Sequence, residues 1–176
     1  YVFGHRHTHY SQYQRQGVAE RLTMRADGTF AQAEMTSCGL NGKPLAGTGE
    51  YPAYIACVLQ SGSGACKADM SIDRAVHPAV TQDETKEACI TNLMDGAVAG
   101  FKYFDLRGLT RVGVTVKAKE AAVFSVRTEP DGADIAEISI EPCRDWTEFS
   151  AAADAADGKA ALYFIYHGKG ALSFRE

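Results

Sequence analysis

Apolar and polar residues alternate with period two along most of the chain. Val112, Val114 and Val116 are separated by Gly113 and Thr115, and Ile138 and Ile140 by Ser139. Near the end, Leu162, Phe164 and Tyr166 fall on one face of an extended segment while Tyr163, Ile165 and His167 fall on the other. Successive side chains of a pleated strand point to opposite sides, so this alternation predicts strands with one buried face. The joints between such segments carry turn chemistry: Asp27-Gly28, Asn41-Gly42, Asp95-Gly96, Asp131-Gly132 and Asp157-Gly158 all suit turns that need positive φ. The Ala-rich stretch from Ser150 to Ala156 has helix propensity, but it is short and reads as a loop or single turn. Many short strands with regular turn signals predict an all-β chain, with a jelly-roll-like β-sandwich as the two-sheet solution.

Composition narrows this picture. The 176 residues allow one domain, or one domain plus a fragment. With 45% hydrophobic and 23% charged residues the chain can build a core, which argues against disorder. No apolar run is long enough for a membrane helix. The net charge is −4 without a basic block, which sets nucleic acid aside and fits a neutral polar ligand better. Cys38, Cys57, Cys66, Cys89 and Cys143 form an odd set with no Cys-x-x-Cys spacing, which favours reduced thiols and a cytoplasmic setting over a disulfide framework or zinc site. The chain starts at Tyr1 with strand-like residues, so its natural N-terminus is expected upstream. Residues 1–45 hold five Lys/Arg against three Asp/Glu, the remainder thirteen against nineteen. This shift, together with the Gly-rich polar segment GLNGKPLAGTGE, places a domain junction near Ala46.

Two groups of residues invite a chemical reading. His5, His7 and His9 alternate, so a strand through YVFGHRHTHY places three imidazoles on one face. Imidazole is a common zinc and copper ligand, but same-face neighbours lie about 6.5–7 Å apart, too far for three to converge easily, so no metal site is expected. Sugar binding uses aromatic faces against the apolar faces of pyranose rings, with a few polar groups for orientation. Trp146, the one tryptophan, follows the turn-like Cys143-Arg144-Asp145 and could stand at a loop tip; a core position is the alternative. Tyr103, within GFKYFDLRG, is the second aromatic candidate, with strand packing as its alternative.

The strings EMTSCGLNGKPLAGTGEYPAYIACVLQ, NLMDGAVAGFKYFDLRG and GKAALYFIYHGKGALSF, in this order and spacing, resemble the C-terminal region of glycoside hydrolase family 43 proteins, the β-xylosidase and α-L-arabinofuranosidase group. The resemblance covers nearly the whole chain. It implies that residues 1–45 are the closing strands of a five-bladed catalytic β-propeller and that residues 46–176 form a β-sandwich similar to family 6 carbohydrate-binding modules. It further implies that His5, in VFGHR, points to the propeller axis near an ion or water. Arg15, in YQRQGVAERL, would stand beside the catalytic carboxylates, where a permanent cation keeps a neighbouring Asp ionised; a surface salt bridge is its alternative role. CRDWTEF is similar to the segment in which family 6 modules carry a stacking tryptophan.

The same resemblance raises calcium, either in the sandwich or at the propeller axis of the parent, although YPAYIACVLQ lacks the paired acidic residues of a calcium site. GALSF offers Leu172 and Ser173 where family 6 modules supply an asparagine to the ligand. In the family the catalytic acid and base lie in earlier blades. None of the 22 Asp and Glu here stands in such a context, and Glu20 and Glu34 read as solvent-facing strand positions. The expected function is an accessory module of a xylan- or arabinoxylan-degrading glycosidase, inactive by itself. It would bind a plant cell-wall oligosaccharide or polysaccharide, or pack against the missing N-terminal propeller, with no nucleic-acid or membrane partner. The alternative is a purely structural sandwich that supports the propeller and binds no sugar.

Overall fold

Alternating apolar residues form strands here by burying one face against a second sheet, and the computed structural model, which describes residues 1–65 and 73–176, shows two such sheets. The larger contains β3 (Leu45–Ala46), β4 (Val58–Ser61), β5 (Gly64–Ala65), β8 (Val98–Asp105), β10 (Ala122–Arg127), β11 (Asp134–Ile140) and β13 (Lys159–Gly168). Its strand order is β11-β10-β13-β8-β4-β5, with the short β3 running parallel to β8. The smaller sheet contains β6 (Ala79–Gln82), β7 (Ala88–Leu93), β9 (Arg111–Ala118), β12 (Cys143–Ala152) and β14 (Leu172–Phe174), ordered β12-β9-β14-β7-β6. All pairings but that of β3 are antiparallel. The chain is an all-β sandwich.

The predicted alternation sets the core. Val114, Val116, Phe124, Ile138, Ile140, Leu162, Phe164 and Tyr166 are all buried. Phe101, Phe124, Phe164 and Phe174 meet between the sheets with ring centroids 5.5–6.1 Å apart, within the range where offset and edge contacts add to area burial. Four of the five Asx-Gly pairs turn through a glycine at positive φ; Gly132 is the exception, its N–H closing a turn onto the Glu129 carbonyl instead.

Ser150 to Ala152 is strand rather than loop. These residues pair with Gly113, Val112 and Arg111 along β9, and backbone pairing with an available edge outweighs the weak helix propensity of alanines. Only from Ala153 does the chain leave the sheet.

The first 45 residues begin with a separate two-stranded hairpin, β1 (Val2–Thr8) and β2 (Ser11–Glu20), whose strands find no third partner among the described residues. The hairpin is nevertheless tied down. The His9 N–H donates to the Val80 carbonyl at 2.8 Å, and the Tyr10 hydroxyl to that of His77 at 3.0 Å. Arg6 donates to the carbonyls of Tyr54 and Ala56 and to Gln16 Oε1. Further along, the Ser37 N–H donates to Lys102, and β3 lies on β8 so closely that a Cβ on Gly47 would collide with the Asp105 carbonyl. The junction expected near Ala46 thus falls inside a strand that already pairs with the sandwich.

Candidate functional site

The side chains singled out from the sequence lie in three separate places. Trp146 sits in β12, at an irregularity where the register with β9 slips between Cys143 and Thr147. It is not at a loop tip: the ring is half-buried against the outer face of the smaller sheet. Its indole N–H donates to Asp83 Oδ2 at 2.9 Å. The Lys117 ammonium and the Arg175 guanidinium lie 5.0 and 4.9 Å from the ring centre, close enough for cation–π attraction. Lys117 is paired in turn with Glu84, and Arg175 with Glu87 at 3.3 Å. Asp83 also accepts from the Thr85 hydroxyl at 2.7 Å and from the backbone of Thr85 and Glu87. These bonds, that of the Thr85 hydroxyl foremost, bring its carboxyl down to a pKa of about 2. The result is a fixed aromatic ring rimmed by both signs of charge.

Tyr103 lies on the outer face of the opposite sheet, against Ala161, Tyr163 and Ile165. Its hydroxyl donates to Glu34 Oε2 at 2.8 Å, and the Lys159 ammonium stands 4.0 Å over its ring. Glu34 also pairs with Lys102 at 2.9 Å; the Lys102 and Tyr103 donors hold its carboxyl below the usual range, and Glu34 in return pushes the Tyr103 phenol up. Glu34 is solvent-exposed as expected but lies outside any strand, and it ties residues 1–45 to β8. Glu20 likewise accepts from the Thr36 hydroxyl. With Tyr103 and Trp146 on opposite outer faces, the two aromatic candidates cannot share one sugar.

The hairpin carries the remaining candidates. Opposed residues of an antiparallel pair share a face, and the register sets His7 opposite Arg15 and His5 opposite Gly17. His5, His7 and Arg15 therefore occupy the face turned away from Arg6, with the His5 and His7 rings stacked at 6.3 Å. His9 leaves this face because it lies in the turn after β1 with φ of 54°. No group of three or more His, Cys, Asp or Glu that could hold a metal ion occurs among the described residues, so the three histidines do not converge. Arg15 is exposed and has no ion-pair partner among the described residues. Phe3 and Tyr13 on the same face are 72% and 86% exposed.

Leu172, at the position compared with a ligand-binding asparagine, is buried in β14, whereas Ser173 is half-exposed. Cys38, Cys57, Cys89 and Cys143 are free thiols, and burial pushes those of Cys57 and Cys89 up; Cys66 lies outside the described residues. Sequence reasoning missed Arg6 and Asp83. Nothing local in the sequence marks Arg6, because its acceptors, the Tyr54 and Ala56 carbonyls, lie 48 and 50 positions away. Asp83-x-Thr85 is an Asx-turn pattern whose second role, holding Trp146, depends on a contact 63 positions away.

No protein-family model matches the chain. Over 181 aligned residues, taking in 99% of this chain, it is 41% identical to a xylosidase/arabinosidase of Thermoclostridium stercorarium. It spans 38% of that protein's length. Among solved structures it overlays CsCBM6-3 from Clostridium stercorarium, determined in complex with cellobiose, with a TM-score of 0.61 at 14% identity over 76% of this chain and 94% of that one. It also overlays a glycoside hydrolase family 43 arabinoxylan arabinofuranohydrolase from Bacillus subtilis, determined in complex with cellotetraose. There the TM-score is 0.58 at 15% identity, over 92% of this chain and 33% of that one. In sequence the chain is a homologue of part of a xylosidase/arabinosidase, and in fold its sandwich is of the family 6 carbohydrate-binding-module type.

Proposed function

We propose that this chain is an accessory carbohydrate-binding module of a xylan- or arabinoxylan-degrading glycoside hydrolase. The observation that carries this reading is the overlay of the sandwich on nearly the whole of a module whose structure was determined in complex with cellobiose. Trp146 is the residue assigned to the sugar: an aromatic face fixed by Asp83 and rimmed by Lys117, Arg175, Glu84 and Glu87 combines a stacking surface with hydroxyl partners. Tyr103 is the weaker candidate, since its hydroxyl and ring are already engaged by Glu34 and Lys159.

The parent enzyme would supply the chemistry. In this reading residues 1–45 complete a catalytic propeller, His5 and Arg15 face its active site, and exposed Phe3 and Tyr13 are covered by it. A purely structural sandwich is the second reading, favoured by the two cations that already lie against the Trp146 ring.

Calorimetric titration with xylo-oligosaccharides, run on wild type and Trp146→Ala alongside melting curves, separates the two. A binding module loses at least tenfold in affinity on substitution, while stability falls by about 1.5–3 kcal/mol for the lost hydrogen bond to the Asp83 carboxylate. Absence of heat with wild type, together with a marked drop in melting temperature of the variant, would leave the structural reading.

A further inference from the structure

The two sheets part beside β9 to leave a cavity of about 210 Å³. Its inner wall is hydrocarbon: Phe101, Phe104, Leu162 and Phe164 from one sheet face Val114 and Phe174 from the other. The mouth opens where β14 stops at Phe174. Beyond that point Thr115 still exchanges backbone bonds with the chain end, its N–H donating to the Glu176 carbonyl and its carbonyl accepting from the Arg175 N–H. Alternate residues of a strand direct their N–H and C=O to the same side, so those of Gly113 point to this same edge, where they have no partner among the described residues. Glu50, Glu148 and Glu176 rim the mouth against the single cation of Arg111, whose Nε donates to Ser150 Oγ.

An apolar cavity of about 150 Å³ lined by Leu, Ile and Phe is enough to admit benzene, and the phenylalanine rings here offer edges and faces to a further ring. A sugar does not fit this chemistry, because hydroxyls pressed against the inner wall would be left unpaired. We infer that the cavity is a binding site for a single-ring aromatic compound whose neutral polar group stays at the mouth, outside the hydrocarbon wall. Three carboxylates at the mouth discriminate against an anionic substituent. This site lies apart from Trp146 and does not depend on the sugar-binding reading.

Phenol, benzoate and xylose are titrated separately into protein labelled at its methyl groups. Phenol is expected to give saturable shifts at Leu106, Val114 and Leu162, which line the cavity. Benzoate should bind at least tenfold more weakly, and xylose should leave these methyls unmoved. Val114→Phe fills the cavity and should abolish the phenol shifts. If that variant does not fold, Val112→Phe at the half-buried mouth takes its place, and the phenol-to-benzoate ratio in wild type decides if neither folds. No saturable shift with phenol, benzoate binding within threefold of phenol, retained shifts in a folded cavity-filling variant, or displacement of phenol by xylose would each overturn the proposal.

Discussion

The indole N–H of Trp146 and the Thr85 hydroxyl both donate to Asp83, and both bonds are stronger to a carboxylate than to a carboxylic acid. The folded-state pKa of about 2 lies below the ordinary 3.8, so the stability this group contributes is fully present above pH 4 and is lost as pH falls toward 2. Asp83→Asn has no charge to lose over that window. Its melting temperature should therefore fall less steeply than that of wild type between pH 4 and 2; parallel curves by circular dichroism would remove Asp83 from the account. Trp146 was legible in the sequence as a singular aromatic, but not its surroundings. Cys143-Arg144-Asp145 reads as a turn locally, whereas in the fold these residues belong to β12 and form the irregularity at which its register with β9 slips.

At the level of elements, the hairpin of β1 and β2 is the part whose attachment the sequence concealed. Its isolated two strands would be marginal in water, yet Arg6 reaches from β1 to the Tyr54 and Ala56 carbonyls, and burial without a carboxylate partner pulls the pKa of its guanidinium down. Arg6→Met keeps the aliphatic stem and removes the donors. With hydrogen bonds from a charged group each contributing about 1.5–3 kcal/mol, the hairpin should loosen without unfolding the sandwich. Trypsin would then cut after Arg15 and Arg21 several-fold faster in the variant. Equal cleavage rates would mean that the contacts at Val80 and His77 suffice alone. The three histidines show the same limit of local reading: alternation placed them on one face, and the turn at His9 removed one of them.

Over the whole molecule, the phenylalanine cluster joins the sheets, and Phe124 touches Phe164, Tyr166 and Phe174 within it. Truncating a fully buried ring removes both its transfer free energy and its contacts, so Phe124→Ala should cost about 3–5 kcal/mol, read as a lower denaturant midpoint at unchanged slope. A loss below about 1 kcal/mol would show that this ring is not central. The sandwich that these rings hold together presents Trp146 and Tyr103 on opposite outer faces, and the hairpin face with His5 and Arg15 as a third surface.

The sequence by itself determined the all-β class, the inward faces of β9, β11 and β13, and four of the five turns, because period-two alternation and Asx-Gly chemistry are local properties of the chain. It also carried the likeness to a xylosidase/arabinosidase, through the order and spacing of its strings. Only the tertiary structure decided which edges pair, and with that the extension of β12, the contacts of Trp146, the anchoring by Arg6 and Glu34, and the cavity beside Gly113. Each of these joins residues tens of positions apart, through a pairing choice that no window of the sequence contains.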